Sequence, residues 1–83
     1  MAIDVLYFAW LRERIDVPRE RMQTSAATVA ELVAELVARS DRHAAAFADP
    51  AAVRVALDRE LADFSAPIAG VGEIAFFPPV TGG

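Results

Sequence analysis

The chain has no cysteine, no lysine and a single histidine in 83 residues. Without cysteine there can be no disulfide, thiolate nucleophile, thiolate metal ligand or persulfide on this polypeptide. If the protein handles sulfur, its terminus must carry it. Every basic residue is an arginine (Arg12, Arg14, Arg19, Arg21, Arg39, Arg42, Arg54 and Arg59), so the chain cannot be linked to copies of itself through lysine side chains. With 12 acidic against 8 basic residues the net charge is −4. That balance disfavours phosphate backbones and acidic bilayers, which both demand clustered cations, so no nucleic-acid ligand is expected. No apolar run approaches the ~18 residues of a membrane span. The segment Met1-Ala2-Ile3-Asp4 also lacks the basic region of a secretion signal, and a cytoplasmic protein with no membrane association is expected.

The usual catalytic arrangements are missing as well. His43 follows Asp41-Arg42 in an expected surface turn and reads as an exposed histidine. No serine stands in a nucleophile elbow. The carboxylates show no metal-ligand spacing, so no metal is expected, and the pair Glu31 and Glu35 fits the cap and solvent face of a helix. Gly70-Val71-Gly72 precedes a strand and opens no helix, unlike a phosphate-cradling loop. No cofactor bound by this chain is expected. The lack of a self-contained active site argues against a stand-alone enzyme, and a chain non-catalytic by itself, whose terminus is acted on by other proteins, is expected.

What the chain does have is apolar content, 55% of its residues, high for one small domain. Part of that surface is expected outside the core, facing a partner. Ile3 to Trp10 reads as a strand, with Ile3, Val5 and Tyr7 on one face and Asp4, Leu6 and Phe8 on the other. Arg12 to Pro18 is turn-like, and Arg19 to Thr24 returns as a short edge strand. Thr28-Val29-Ala30-Glu31 fits a capping box in which Glu31 reaches back to the Thr28 amide. Val29, Leu32, Val33, Leu36 and Val37 then form one stripe of an amphipathic helix. Arg42 to Ala48 adds a helical turn before Asp49-Pro50 stops it. Val53, Val55 and Leu57 mark a further strand, Asp58-Arg59 a turn into a short strand near Leu61, and Glu73 to Phe77 the last strand. The main order is strand, strand, helix, strand, strand, which predicts an α+β fold: a mixed sheet with one main helix packed across one face.

The two faces of that sheet are then unequal. If Ile74 and Phe76 point at the helix, Phe77 points away from it, and Phe8 and Leu61 join it as an exposed apolar patch. After Phe77 come Pro78 and Pro79, which cannot continue a ladder, and then Val80-Thr81-Gly82-Gly83. Glycine has no Cβ, so a Gly-Gly end can thread a channel closed to other residues and leave its carboxyl open to attack. The division is a domain over 1–77 and an extended tail over 78–83. From Pro78 onward the tail reaches at most ~20 Å.

The ending Ile74-Ala75-Phe76-Phe77-Pro78-Pro79-Val80-Thr81-Gly82-Gly83, with Val5-Leu6-Tyr7-Phe8-Ala9 and Arg12-Glu13, resembles the small, sulfur-carrying subunit family of molybdopterin synthase. That family is ubiquitin-like, with a β-grasp fold. The resemblance covers nearly the whole chain, and the Phe-Phe-Pro-Pro segment sets it apart from thiamine-type carriers. It implies that an ATP-using activating enzyme adenylates the Gly83 carboxylate, and that a sulfur donor converts the product to a thiocarboxylate. The tail then delivers sulfur to a cyclic pterin precursor in the large subunit, in a heterotetramer with two copies of each subunit. Gly82 gives clearance, and Pro78, Pro79, Val80 and Thr81 set the reach. Phe8, Leu61 and Phe77 match the family's apolar interface. Gly70-Val71-Gly72 and Asp58 depart from its usual turn sequences. Three other readings fit a Gly-Gly tail: a thiamine-type sulfur carrier, a ubiquitin-like modifier joined to target lysines, and a binding module whose tail is inert.

Overall fold

Alternation along the first strand divides the molecule into two faces. In the computed structural model, which describes residues 1–79, β1 (Ala2–Tyr7) buries Ile3, Val5 and Tyr7 and leaves Asp4 and Leu6 partly covered. It pairs antiparallel with β2 (Arg19–Gln23) and parallel with β5 (Glu73–Phe77), Tyr7 standing opposite Phe76. The other side of β5 takes β3 (Arg54–Leu57) antiparallel, and β4 (Glu60–Ala62) closes that edge. The sheet order β2-β1-β5-β3-β4 makes the last strand in sequence the central one.

Helix α2 (Val29–Arg39) buries Val29, Leu32 and Leu36 in one core with Ile3, Val5, Ile74 and Phe76. Phe76 is fully buried, stacked 6.3 Å from Tyr7 and met edge-on by Phe47 at 4.9 Å. A mixed sheet gripping one main helix is the expected β-grasp, an α+β fold. Thr28 caps α2 as anticipated, its Oγ1 accepting from the Glu31 amide at 3.3 Å. Glu31, however, takes the Thr28 hydroxyl at 3.2 Å rather than the Thr28 amide. Val37, placed on the apolar stripe, is 39% exposed because α2 turns it past the edge of the core. Glu35, assigned to solvent, accepts from the Thr24 hydroxyl at 2.6 Å and ties the end of β2 to the helix.

The structure corrects the reading at three further places. The first strand stops at Tyr7, and the expected turn from Arg12 is helix α1 (Trp10–Ile15). Leu11 and Ile15, one helical turn apart, are buried, while Arg12, Glu13 and Arg14 occupy its outer side. Ala9, at φ 54° and ψ −134°, makes the bend between them, and Asp16 at φ 75° ends the helix by donating its amide to the Arg12 carbonyl at 2.8 Å. The second place is His43, which lies inside the molecule on α3 (Asp41–Ala46), not on the surface. The third is Ile68, fully buried in the long link from β4 to β5, where only turn signals were read.

Two turns bring the sheet edges into register. Asp58 and Arg59 have φ of 48° and 73°, the left-handed pair of a tight hairpin turn between Leu57 and Glu60. The Asp58 carboxylate then accepts from the Gly72 and Glu73 amides at 3.1 and 3.0 Å, clipping the start of β5 to this hairpin. The residue that departs from the family's usual sequence thus supplies an acceptor of its own. Val80, Thr81, Gly82 and Gly83 lie outside the described residues.

Candidate functional site

The face away from α2 is built from every second residue of five paired strands. Its middle row runs Arg19, Leu6, Ala75, Ala56 and Leu61, each opposite the next across a ladder. The row nearest the tail holds Phe77 with Arg54 opposite it. Phe8 follows Tyr7 alongside the end of β5, donating its amide to the Phe76 carbonyl at 3.1 Å. Of the predicted patch residues, Phe8 is 46% exposed, Leu61 80% exposed, and Phe77 partly covered. Phe8 and Phe77 come together at the base of the tail. Leu61 stands apart on the edge strand and connects to them through Ala56, Ala75 and Leu6.

Leu6, Ala56 and Arg54 belong to this face too, although the sequence reading did not single them out as site residues. Alternation gives their side of the strand, but only pairing register makes them one surface. Pro78 and Pro79, both partly covered, continue from Phe77. The remaining tail positions assigned to the site, Val80 to Gly83, lie outside the described residues.

The third row of the face is charged, with Arg21 opposite Asp4. Asp4 and Glu73 are register partners, and Asp58 lies next to Glu73. Arg21 and Arg19 both reach Asp4, at 2.9 and 3.4 Å. The face is therefore apolar at the tail end and charged at the other.

On the helix side of the sheet, a polar cluster holds the fold together. Glu20 Oε2 accepts from the Tyr7 hydroxyl and His43 Nε2, both at 2.7 Å, and Oε1 accepts from Arg39 at 2.6 Å. His43 Nδ1 lies 2.7 Å from the Ser40 hydroxyl. Ser40 Oγ also accepts the His43 amide at 3.1 Å, and Nε2–H donates to the Glu20 carboxylate, which can only accept. Burial, and then the bond to ionised Glu20, push the Tyr7 phenol well above its ordinary value. Burial also works to raise Glu20, but the bonds from His43, Tyr7 and Arg39 outweigh it and hold its carboxyl below the usual range. The cluster joins β1, β2, α2 and α3, and each member is occupied by another.

No helix among the described residues is long and apolar enough to cross a membrane, and no group of metal-ligating side chains is found there. A hollow of about 270 Å³ between α2 and the loops is lined by Ala30, Val33, Phe47, Pro50 and Phe64, side chains without a polar group to orient a small ligand.

Comparison with known proteins adds a family. The ThiS family model matches residues 5–83. The molybdopterin synthase sulfur carrier subunit of Escherichia coli is 38% identical over 81 residues, covering 98% of this chain and 99% of that protein. The protein of the same name from Haemophilus influenzae is 35% identical over the same share of each. Among solved structures, SAMP1 from Haloferax volcanii superposes with a TM-score of 0.75 at 26% identity, covering all of both chains.

Proposed function

The chain belongs to the ThiS family, and from that premise we propose that it is the sulfur carrier subunit of a molybdopterin synthase. The observation that carries this reading is the position of β5. The strand that runs into the tail is central in the sheet, and it ends at Phe77 on an apolar face that no element of the chain covers among the described residues. A tail based there emerges beside a docking surface, so a partner seated on the face takes the tail into its own pocket.

A carboxylate is a poor acyl donor because its oxygen is a poor leaving group. An activating enzyme therefore joins the Gly83 carboxylate to the AMP portion of ATP, with loss of pyrophosphate. A sulfur nucleophile then attacks the acyl carbon, and AMP departs, leaving a thiocarboxylate. The large subunit binds the pterin precursor, supplies acid and base, and receives the sulfur. Phe8, Leu61 and Phe77 form the docking surface, Pro78 to Thr81 span the distance, and Gly82 passes the narrowest part of the channel. The described residues offer no activating machinery, and this division of labour leaves it with the partners.

The test is an intact mass measurement after incubation with the cognate activating enzyme, ATP and sulfide. The expected result is a gain equal to one oxygen exchanged for one sulfur, abolished by deletion of Gly83. Adducts on other proteins would point to a modifier. An unchanged mass with an activating enzyme that turns over ATP would overturn the carrier reading.

A further inference from the structure

We propose that Arg54 is a docking cation that receives a carboxylate of the large subunit and fixes the orientation in which that subunit lands. The proposal rests on the reading that the open face docks the large subunit. Arg54 opens β3 opposite Phe77, and alternation puts it on the side away from the buried Val53 and Val55. It is the cation nearest the base of the tail in the ladder.

Four other arginines are paired within the chain, while Arg12 and Arg14 lie on α1 and Arg59 in the β3–β4 turn, away from the ladder position opposite Phe77. Arg19 and Arg21 share Asp4, Arg39 holds Glu20, and Arg42 holds Asp16 at 2.9 Å. Arg54 has no carboxylate within ion-pair distance among the described residues. Asp63, just past the β3–β4 pairing, is engaged by the Ser65 amide at 2.9 Å and the Ser65 hydroxyl at 2.5 Å. The Arg54 guanidinium is instead tied through Nη1 to the Ala51 and Val53 carbonyls, at 3.2 and 3.3 Å. Those bonds restrain the group and leave Nε–H and Nη2 without acceptors among the described residues. That edge of a guanidinium is the one that takes a carboxylate through two parallel bonds.

A partner seated on Phe8 and Phe77 covers the neighbourhood of Arg54, and a guanidinium removed from water without a counter-charge is costly. A carboxylate on the partner removes that cost. The rest of the face supports one orientation. Its far row holds Glu73 and Asp58 outside any ion pair among the described residues, while Asp4 there is shared by Arg19 and Arg21, and the chain as a whole carries −4. An acidic group on the partner is attracted at Arg54 and repelled at Glu73 and Asp58, so a partner whose carboxylate lands there meets like charge.

The experiment measures association and dissociation of the full chain with the large subunit at low and high salt. Arg54→Glu is expected to slow association roughly tenfold at low ionic strength, and the difference is expected to shrink below about twofold near 0.5 M salt. Arg54→Lys is expected to associate like the wild type and dissociate several-fold faster, because it keeps the charge and loses the two-bond geometry. Unfolding midpoints verify that both variants fold. If Arg54→Glu does not fold, Arg54→Gln takes its place, with association slowed at low salt supporting the contact. Charge-reversed or neutral variants associating at the wild-type rate at low salt would overturn the proposal. A lysine variant that dissociates no faster would overturn the two-bond geometry. A wild-type chain that fails to bind the large subunit at all would overturn the docking reading first, a result the variants alone cannot produce.

Discussion

Glu20 sets the pH dependence expected of this fold. It is held by three donors from three elements, Tyr7, His43 and Arg39. Its folded carboxyl lies below the ordinary range, so the unfolded chain takes up the proton first as pH falls. The stability it contributes is present above the unfolded value, about 4.3, and is lost as pH drops through the folded value. Urea midpoints of the wild type are expected to fall on acidification below about pH 4, whereas Glu20→Gln starts lower at pH 7 and falls less steeply. Tyr7 shifts the other way. Its phenol stays neutral in the fold, so its contribution is present below about pH 10 and declines as pH rises beyond that. His43→Ala removes a donor from the same carboxylate and is expected to cost about 1–3 kcal/mol. A midpoint unchanged by His43→Ala would mean that the ring is not bonded to Glu20.

At the scale of elements, the turn of Asp58 and Arg59 sets sequence against backbone. Asp58 tolerates the left-handed region and uses its carboxylate to fasten the start of β5, whereas Arg59 at φ 73° gains nothing of that kind. Arg59→Gly is expected to raise stability by about 0.5–1 kcal/mol, read as a higher urea midpoint with unchanged slope. A lower midpoint would show that the arginine side chain contributes more than its backbone conformation costs. The same contrast explains which elements were legible in the sequence. Helix α2 carries its start signal and apolar stripe within a dozen residues, so Thr28 and Leu32 could be placed without a partner. Helix α1 carries only Leu11 and Ile15 as a sign, hidden among three charged residues. His43 is buried by Glu20, 23 residues away, and nothing beside it in sequence indicates that pairing. The tail motif is contiguous and could be read directly, but the proposed docking face is a product of register. Alternation put Phe77 and Phe8 on one side of their strands, yet the positions of Leu6, Ala56 and Arg54 among them depend on which residue faces which across the ladders.

For the molecule as a whole, the division of labour runs between two adjacent phenylalanines on the central strand. Phe76 is fully buried between Tyr7 and Phe47, on the side that α2 covers. Phe77 points the other way, beside Phe8 and Arg54 and immediately before Pro78. A substitution at one site is expected to act on stability, and at the other on association. Phe76→Ala is expected to cost about 3–5 kcal/mol, a large share of the stability of a domain this small. Phe77→Asp puts a carboxylate on a partly solvated face, so its unfolding midpoint is expected to stay close to that of the wild type while binding to the large subunit weakens at least tenfold. Salt does not restore apolar burial removed in this way, which separates the effect from that at Arg54. Unfolding of Phe77→Asp at ordinary temperature would assign Phe77 to the core. A folded variant that binds the large subunit undiminished would move the docking surface off this face, and with it the reason that the strand leading to Gly83 runs through the centre of the sheet.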